Sequence, residues 1–139
     1  MPLFLAHLLQ AGHNEKLAQE LVESLTYKDW AVTTIYYTAI HYIEAVFAQD
    51  IDIQHTESQI VRYPRLSMHS IREELVRNHY SGAWRALRKL HEQSNIARYH
   101  NFRGKVVVQV PVQDYFSDTD VRNFFTQDLA TIKQVIGVS

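Results

Sequence analysis

The chain has 139 residues, 46% of them hydrophobic, and a formal net charge of −1 at pH 7. That length and apolar content suit one compact domain, and the near-neutral balance excludes both a global basic field for nucleic acid and an acidic excess that would keep the chain unfolded. With no cysteine, disulfides, thiol nucleophiles and thiolate metal sites are excluded, which fits a reducing compartment.

The first apolar run, "MPLFLAHLLQAGHNE", lacks a basic leader and is interrupted by His7 and Gln10, so it reads as helix rather than signal peptide. No window reaches the ~20 apolar residues of a membrane span, and a soluble cytoplasmic domain is expected. The first helical region covers Leu3 to Leu25, with Gly12 and Asn14 as candidate breaks and Asn14 as a cap for "EKLAQELVESL". A second helix runs from about Lys28 or Asp29 to Gln49. "DIDIQHTESQIVRYPRLS" reads as a loop, and Ser67 caps a third helix, "MHSIREELVRN". After a break at Tyr80–Gly82, a fourth helix, "AWRALRKLHEQSNIARY", keeps Ala83, Leu87, Leu90, Ser94 and Ala97 on one face. The β-branched "FRGKVVVQVPVQDYF" predicts an extended arm around residues 105–113. "SDTD" opens a last helix, with Ser117 as its cap and Asp120 in its first turn. No repeat or linker divides the chain, so an all-α single domain over residues 1–139 is predicted.

The second helix is apolar nearly all round, which places it at the centre of the fold. Ala31, Thr34, Thr38, His41, Ala45 and Ala48 form a stripe of mostly small residues along which a neighbouring helix can approach closely. His41 and Glu44 lie three residues apart near the middle of this helix. A histidine in such a seam needs a hydrogen-bond partner, and either a core role or a ligand-binding role satisfies that need.

Three segments carry a resemblance. Tyr36-Tyr37-Thr38-Ala39-Ile40-His41, His69-Ser70-Ile71-Arg72 and Ser94-Asn95-Ile96-Ala97-Arg98-Tyr99 follow one another in the order found in small prokaryotic members of the HEPN domain superfamily, which this chain resembles from about Leu3 to Tyr99 and, through the last helix, over most of its length. The resemblance implies an antiparallel four- to five-helix up-and-down bundle, often a homodimer. It also implies one of three roles: metal-independent endoribonuclease, toxin–antitoxin partner of a nucleotidyltransferase, or non-catalytic RNA- or nucleotide-binding module.

The nuclease branch pairs an arginine with a histidine a few residues later, one steadying phosphate charge and the other moving protons. Arg62/His69, Arg72/His79 and Arg85/His91 fit the spacing, but nine arginines and eight histidines give about one or two such matches by chance. The polar residue expected after the arginine is replaced by Tyr63, Glu73 and Ala86. Arg98 and His100 are the remaining catalytic candidates, and they share a side only if the helix ends between them. Trp84, Arg88, His91, Asn95 and Arg98 form a polar line that suits either a phosphate-and-base site or an ordinary solvated face. A metal centre on His41, Glu44 and His69 is not expected, because helical di-metal bundles repeat Glu-x-x-His and here the order is reversed and single. No cofactor is expected.

With that resemblance, these residues predict a HEPN-like binding module for an RNA or nucleotide phosphate or for a partner protein, with an endoribonuclease and a purely structural interaction domain as alternatives. His41, Glu44, His69, Arg72 and Arg98 are expected to converge as the ligand site, unless Glu44 pairs with Arg98 and the histidines are sealed beneath. No membrane contact is expected.

Overall fold

The computed structural model describes residues 2–102, 105–106 and 110–138, and these are helical almost throughout. The first helix, α1 (Leu3–Ser24), is unbroken. The expected interruption at Gly12 and Asn14 is absent, and the Asn14 side chain instead accepts a hydrogen bond from Gln10 one turn earlier. Ala11 and Ala18 are fully buried, so α1 lies close along α2 (Lys28–Gln49), the most extensive helix pairing in the fold. Leu25 ends α1 in the left-handed region at φ 54°, donating its N–H to the Leu21 carbonyl, and the chain reverses within three residues.

The connection from α2 to α3 (Met68–His79) is not plain loop, because Thr56–Arg62 winds into a 3₁₀-helix. Ser67 caps α3 as expected, its Oγ accepting the Ser70 N–H at 3.2 Å. A 3₁₀ turn at Ser81–Ala83 leads into α4 (Trp84–Tyr99). The five residues predicted to share one α4 face are all buried.

Beyond α4, Asn101–Phe102 pairs antiparallel with Lys105–Val106. Residues 107–109 of the predicted arm lie outside the described residues. The arm's far end is helical rather than extended: Val112–Tyr115 forms a short helix, α5, started by Pro111, whose fixed φ suits a helix entrance and whose carbonyl accepts the Asp114 N–H. The last rod comprises α6 (Asp118–Asn123), a π-helical segment (Phe124–Leu129) and α7 (Ala130–Ile136), capped by Ser117 and ended by Gly137 at φ 83°.

Cross-contacts fix the directions. Trp30 and Thr33 share a cleft with Ala97 and Arg98, while Tyr36, further along α2, stacks on the earlier His91, so α2 and α4 run antiparallel. Lys28 pairs with Asp118 and Lys133 with Glu15, both at 2.7 Å, so the last rod runs with α2 and against α1. Twelve of the 22 residues of α2 are buried, which makes it the central helix. Among the described residues no helix is long and apolar enough to cross a membrane.

Candidate functional site

The polar groups of α2 sit in a seam where α1, the 3₁₀-helix, α3 and α4 meet. Glu44 is its pivot, 1% exposed. One carboxylate oxygen accepts from Arg72 Nε at 2.8 Å and from the Thr56 hydroxyl, the other from the Thr56 N–H at 3.2 Å, and His55 Nε2 lies 3.2 Å from that second oxygen. Both carboxylate oxygens are therefore engaged. Burial alone would raise the Glu44 pKa, but Arg72, the Thr56 and Arg72 hydrogen bonds and His55 outweigh it and hold the carboxyl below its ordinary value. Glu44 thus pairs with Arg72, itself buried, and not with Arg98.

From Glu44 a line of imidazoles runs to the half-buried His41. His55 Nε2 lies 3.2 Å from His7 Nε2, and His7 Nδ1 lies 2.9 Å from His41 Nδ1. The protons follow from one fixed donor. The Glu57 N–H is donated to His55 Nδ1, so the His55 ring proton sits on Nε2, facing Glu44 and His7. His7 then accepts at Nε2 and donates from Nδ1 to His41. Burial, ahead of the neighbouring charges, lowers both His7 and His41 below the ordinary imidazole value.

On the other side of Arg72 lies His69. Arg72 Nη1 donates to His69 Nδ1 at 3.3 Å and the Tyr36 hydroxyl lies 2.8 Å from the same atom. Arginine can only donate, so Nδ1 is the acceptor and the His69 proton sits on Nε2. Burial first, then His91, Arg72 and Arg98, push His69 down to about 4. Burial also pushes the Tyr36 hydroxyl well above its ordinary value. His91 stacks on Tyr36 and meets His69 at 4.8 Å between ring centroids, while Glu73 holds its Nδ1 at 2.6 Å.

Arg98 stands apart from this network. Its guanidinium lies over the Tyr37 and Tyr99 rings, at 5.3 and 4.9 Å from their centroids. It donates to the Tyr37 hydroxyl at 2.7 Å and, at 3.2–3.4 Å, to Ser94, Asn95 and Tyr99. Every acceptor is neutral, so among the described residues the positive charge has no carboxylate partner. Helix α4 ends at Tyr99, and His100 caps it in the left-handed region at φ 54°. That termination lets Arg98 and His100 line one cleft of about 460 Å³, together with Asp29, Trp30, Thr33 and Tyr99.

Of the five residues expected to converge, Glu44, Arg72 and His69 are in direct contact and His41 joins through His7 and His55. Arg98 reaches the network indirectly, through the Tyr36–Tyr37 ring contact, through Ser94 to the His91 carbonyl, and through its field on His69. Sequence reasoning missed His7, His55 and Thr56. His7 carried a signal, since it stands one helical turn before buried Ala11 on the α1 face packed against α2. His55 and Thr56 lie where no periodicity operates. None of the three Arg/His pairs of nuclease spacing is joined by a hydrogen bond among the described residues. Each nitrogen of His7 faces a different imidazole, and the described residues bring no three His, Asp or Glu side chains together as metal ligands. Comparisons with protein-family models, curated proteins and solved structures give no match to this chain.

Proposed function

We propose that the chain is a HEPN-like helical module, paired as a homodimer, that binds the phosphate of an RNA strand or nucleotide through Arg98. One observation carries this reading: a guanidinium in contact with two tyrosine rings, with only neutral acceptors among the described residues, opens onto a cleft. Such a cation is poised for a phosphate, which takes charge-assisted hydrogen bonds that a tyrosine hydroxyl at 3.4 Å cannot match. The long contacts to Tyr99 and Asn95 give way, while the short one to Tyr37 keeps the planar group aimed. Asp29 on the cleft wall disfavours a bare anion but suits a nucleotide, whose ribose hydroxyls it can accept. The Glu44–Arg72 pair and its histidines are the frame that holds α2, α3 and α4 in place around it.

Anisotropy of a labelled single-stranded oligoribonucleotide tests the proposal. Arg98→Ala should weaken binding about tenfold or more and lower the salt dependence by roughly one phosphate contact, with the melting temperature nearly unchanged. Equal affinity in the variant, or no binding by the wild-type chain at submillimolar concentration, overturns it.

A further inference from the structure

Trp30 occupies the first turn of α2 and is 61% exposed, unusual for so large an apolar side chain. It is a wall of two clefts at once. On one side it faces Arg98, His100 and Asp29. On the other it joins Leu17 and Leu21 of α1, Tyr27 and Thr34 around a second cleft of about 340 Å³ with no charged group in its lining. Leu17 and Leu21 are one helical turn apart, as are Trp30 and Thr34, so two apolar edges face each other across the α1–α2 hairpin.

A single ligand filling both clefts must combine a flat apolar ring with an anion, joined by a short neutral polar piece. A nucleotide has that construction. We propose that the Leu17–Tyr27–Trp30 cleft is a nucleobase subsite, in which the base of a ribonucleotide stacks on Trp30 while its phosphate lies on Arg98. The inference rests on the phosphate-binding role given to Arg98 above and adds the substrate class: base-bearing ribonucleotides rather than phosphate or sugar phosphate. Stacking is sequence-tolerant because every base has a π-face, and the apolar lining has no charged group with which to select one base. Charge complementarity supports this occupant over a hydrophobic peptide, because of the two clefts that share Trp30 as a wall one bears the Arg98 guanidinium, with Asp29 to accept from hydroxyls, and the other is uncharged.

The test compares adenosine 5′-monophosphate with ribose 5-phosphate by calorimetric titration. The nucleotide should bind about tenfold or more tightly than the sugar phosphate, and Trp30→Leu should bring that ratio close to one. A second arm leaves Trp30 in place. In the Trp84→Phe protein, whose only remaining tryptophan is Trp30, adenosine 5′-monophosphate should quench emission and ribose 5-phosphate should not. Equal binding of the two ligands, both lost in Arg98→Ala and neither quenching Trp30, overturns the subsite and leaves the phosphate role standing. Failure of both ligands and of the oligoribonucleotide overturns both. Trp30 emission that shifts with protein concentration, and not with nucleotide, assigns the apolar cleft to a second copy of the chain and likewise overturns the subsite.

Discussion

Glu44 and Arg72 show how a buried ion pair acts when each partner is fully engaged. Removing one charge leaves the other stranded in the seam, which typically costs about 3–5 kcal/mol, whereas replacing both with apolar groups of similar volume is often neutral. Glu44→Gln should therefore destabilise the chain strongly, and Glu44→Leu combined with Arg72→Met should recover much of the loss in urea unfolding. A double variant as damaged as the single one would show that the hydrogen bonds of Thr56, not the charge pair, set the stability. Titration of the same seam gives a second prediction. Glu44 is depressed in the folded state, so its contribution is present above the ordinary carboxylate value and fades as pH falls through the folded value. His69 is depressed from 6.5 to about 4, so the unfolded chain takes up the proton first and stability is lost as pH falls between those values. His7 and His41 act in the same direction. Stability should drop from about pH 7 to about pH 4.5, and His69→Asn, whose amide oxygen can still accept from Tyr36 and Arg72, should flatten that slope by up to about one proton. A profile flat over this range would contradict the burial of these imidazoles.

Elements with a local cause were legible in the sequence, and those with a tertiary cause were not. Ser67 and Ser117 announced their helices because a hydroxyl accepting an N–H three residues ahead is a matter of neighbouring atoms. The α4 stripe was readable because burial repeats at the helical period. The Thr56–Arg62 helix was not, since what anchors its start is Glu44, twelve residues back in α2. The same limit applies to the site: Glu44, His69 and Arg72 could be picked out as polar residues in helical register, but the partners His7 and His55 come from a distant helix and an aperiodic loop. The π segment is an instructive middle case. Along the last rod the buried residues are Val121, Phe124, Leu129, Ile132 and Ile136, and the step from Phe124 to Leu129 is five residues. Five residues of α-helix would turn Leu129 well off the core face, and the wider π turn brings it back. Deleting the exposed Gln127 should therefore leave a regular helix with its core face intact and a cooperative thermal transition. Deleting the exposed Arg88 from α4 has no extra residue to absorb it and should abolish that transition. Equal outcomes would show that the π turn does not serve this register.

The whole molecule exposes 7945 Å². A standard interface covers about 800 Å² per partner, roughly a tenth of such a surface. The connection between α2 and α3 offers a patch apart from the Trp30 clefts: Ile51 is 82% exposed, Val61 89%, and Ile60 and Leu66 are both 44% exposed. Four aliphatic side chains within residues 50–67 leave apolar area uncovered that a two-fold partner can bury with the same patch, residue against residue. The homodimer proposed above would use this surface. It also carries a structural consequence, because the 3₁₀-helix that bears Ile60 and Val61 begins at Thr56, which binds Glu44 directly. Pairing through that helix would hold the seam closed from outside, so dimerisation and the stability of the Glu44–Arg72 frame should be coupled. Val61→Glu should convert the dimer to monomer in light scattering at micromolar concentration and lower the melting temperature of the chain. A wild-type chain that scatters as a monomer over that range removes the dimer, and a monomeric Val61→Glu variant that melts like wild type removes the coupling.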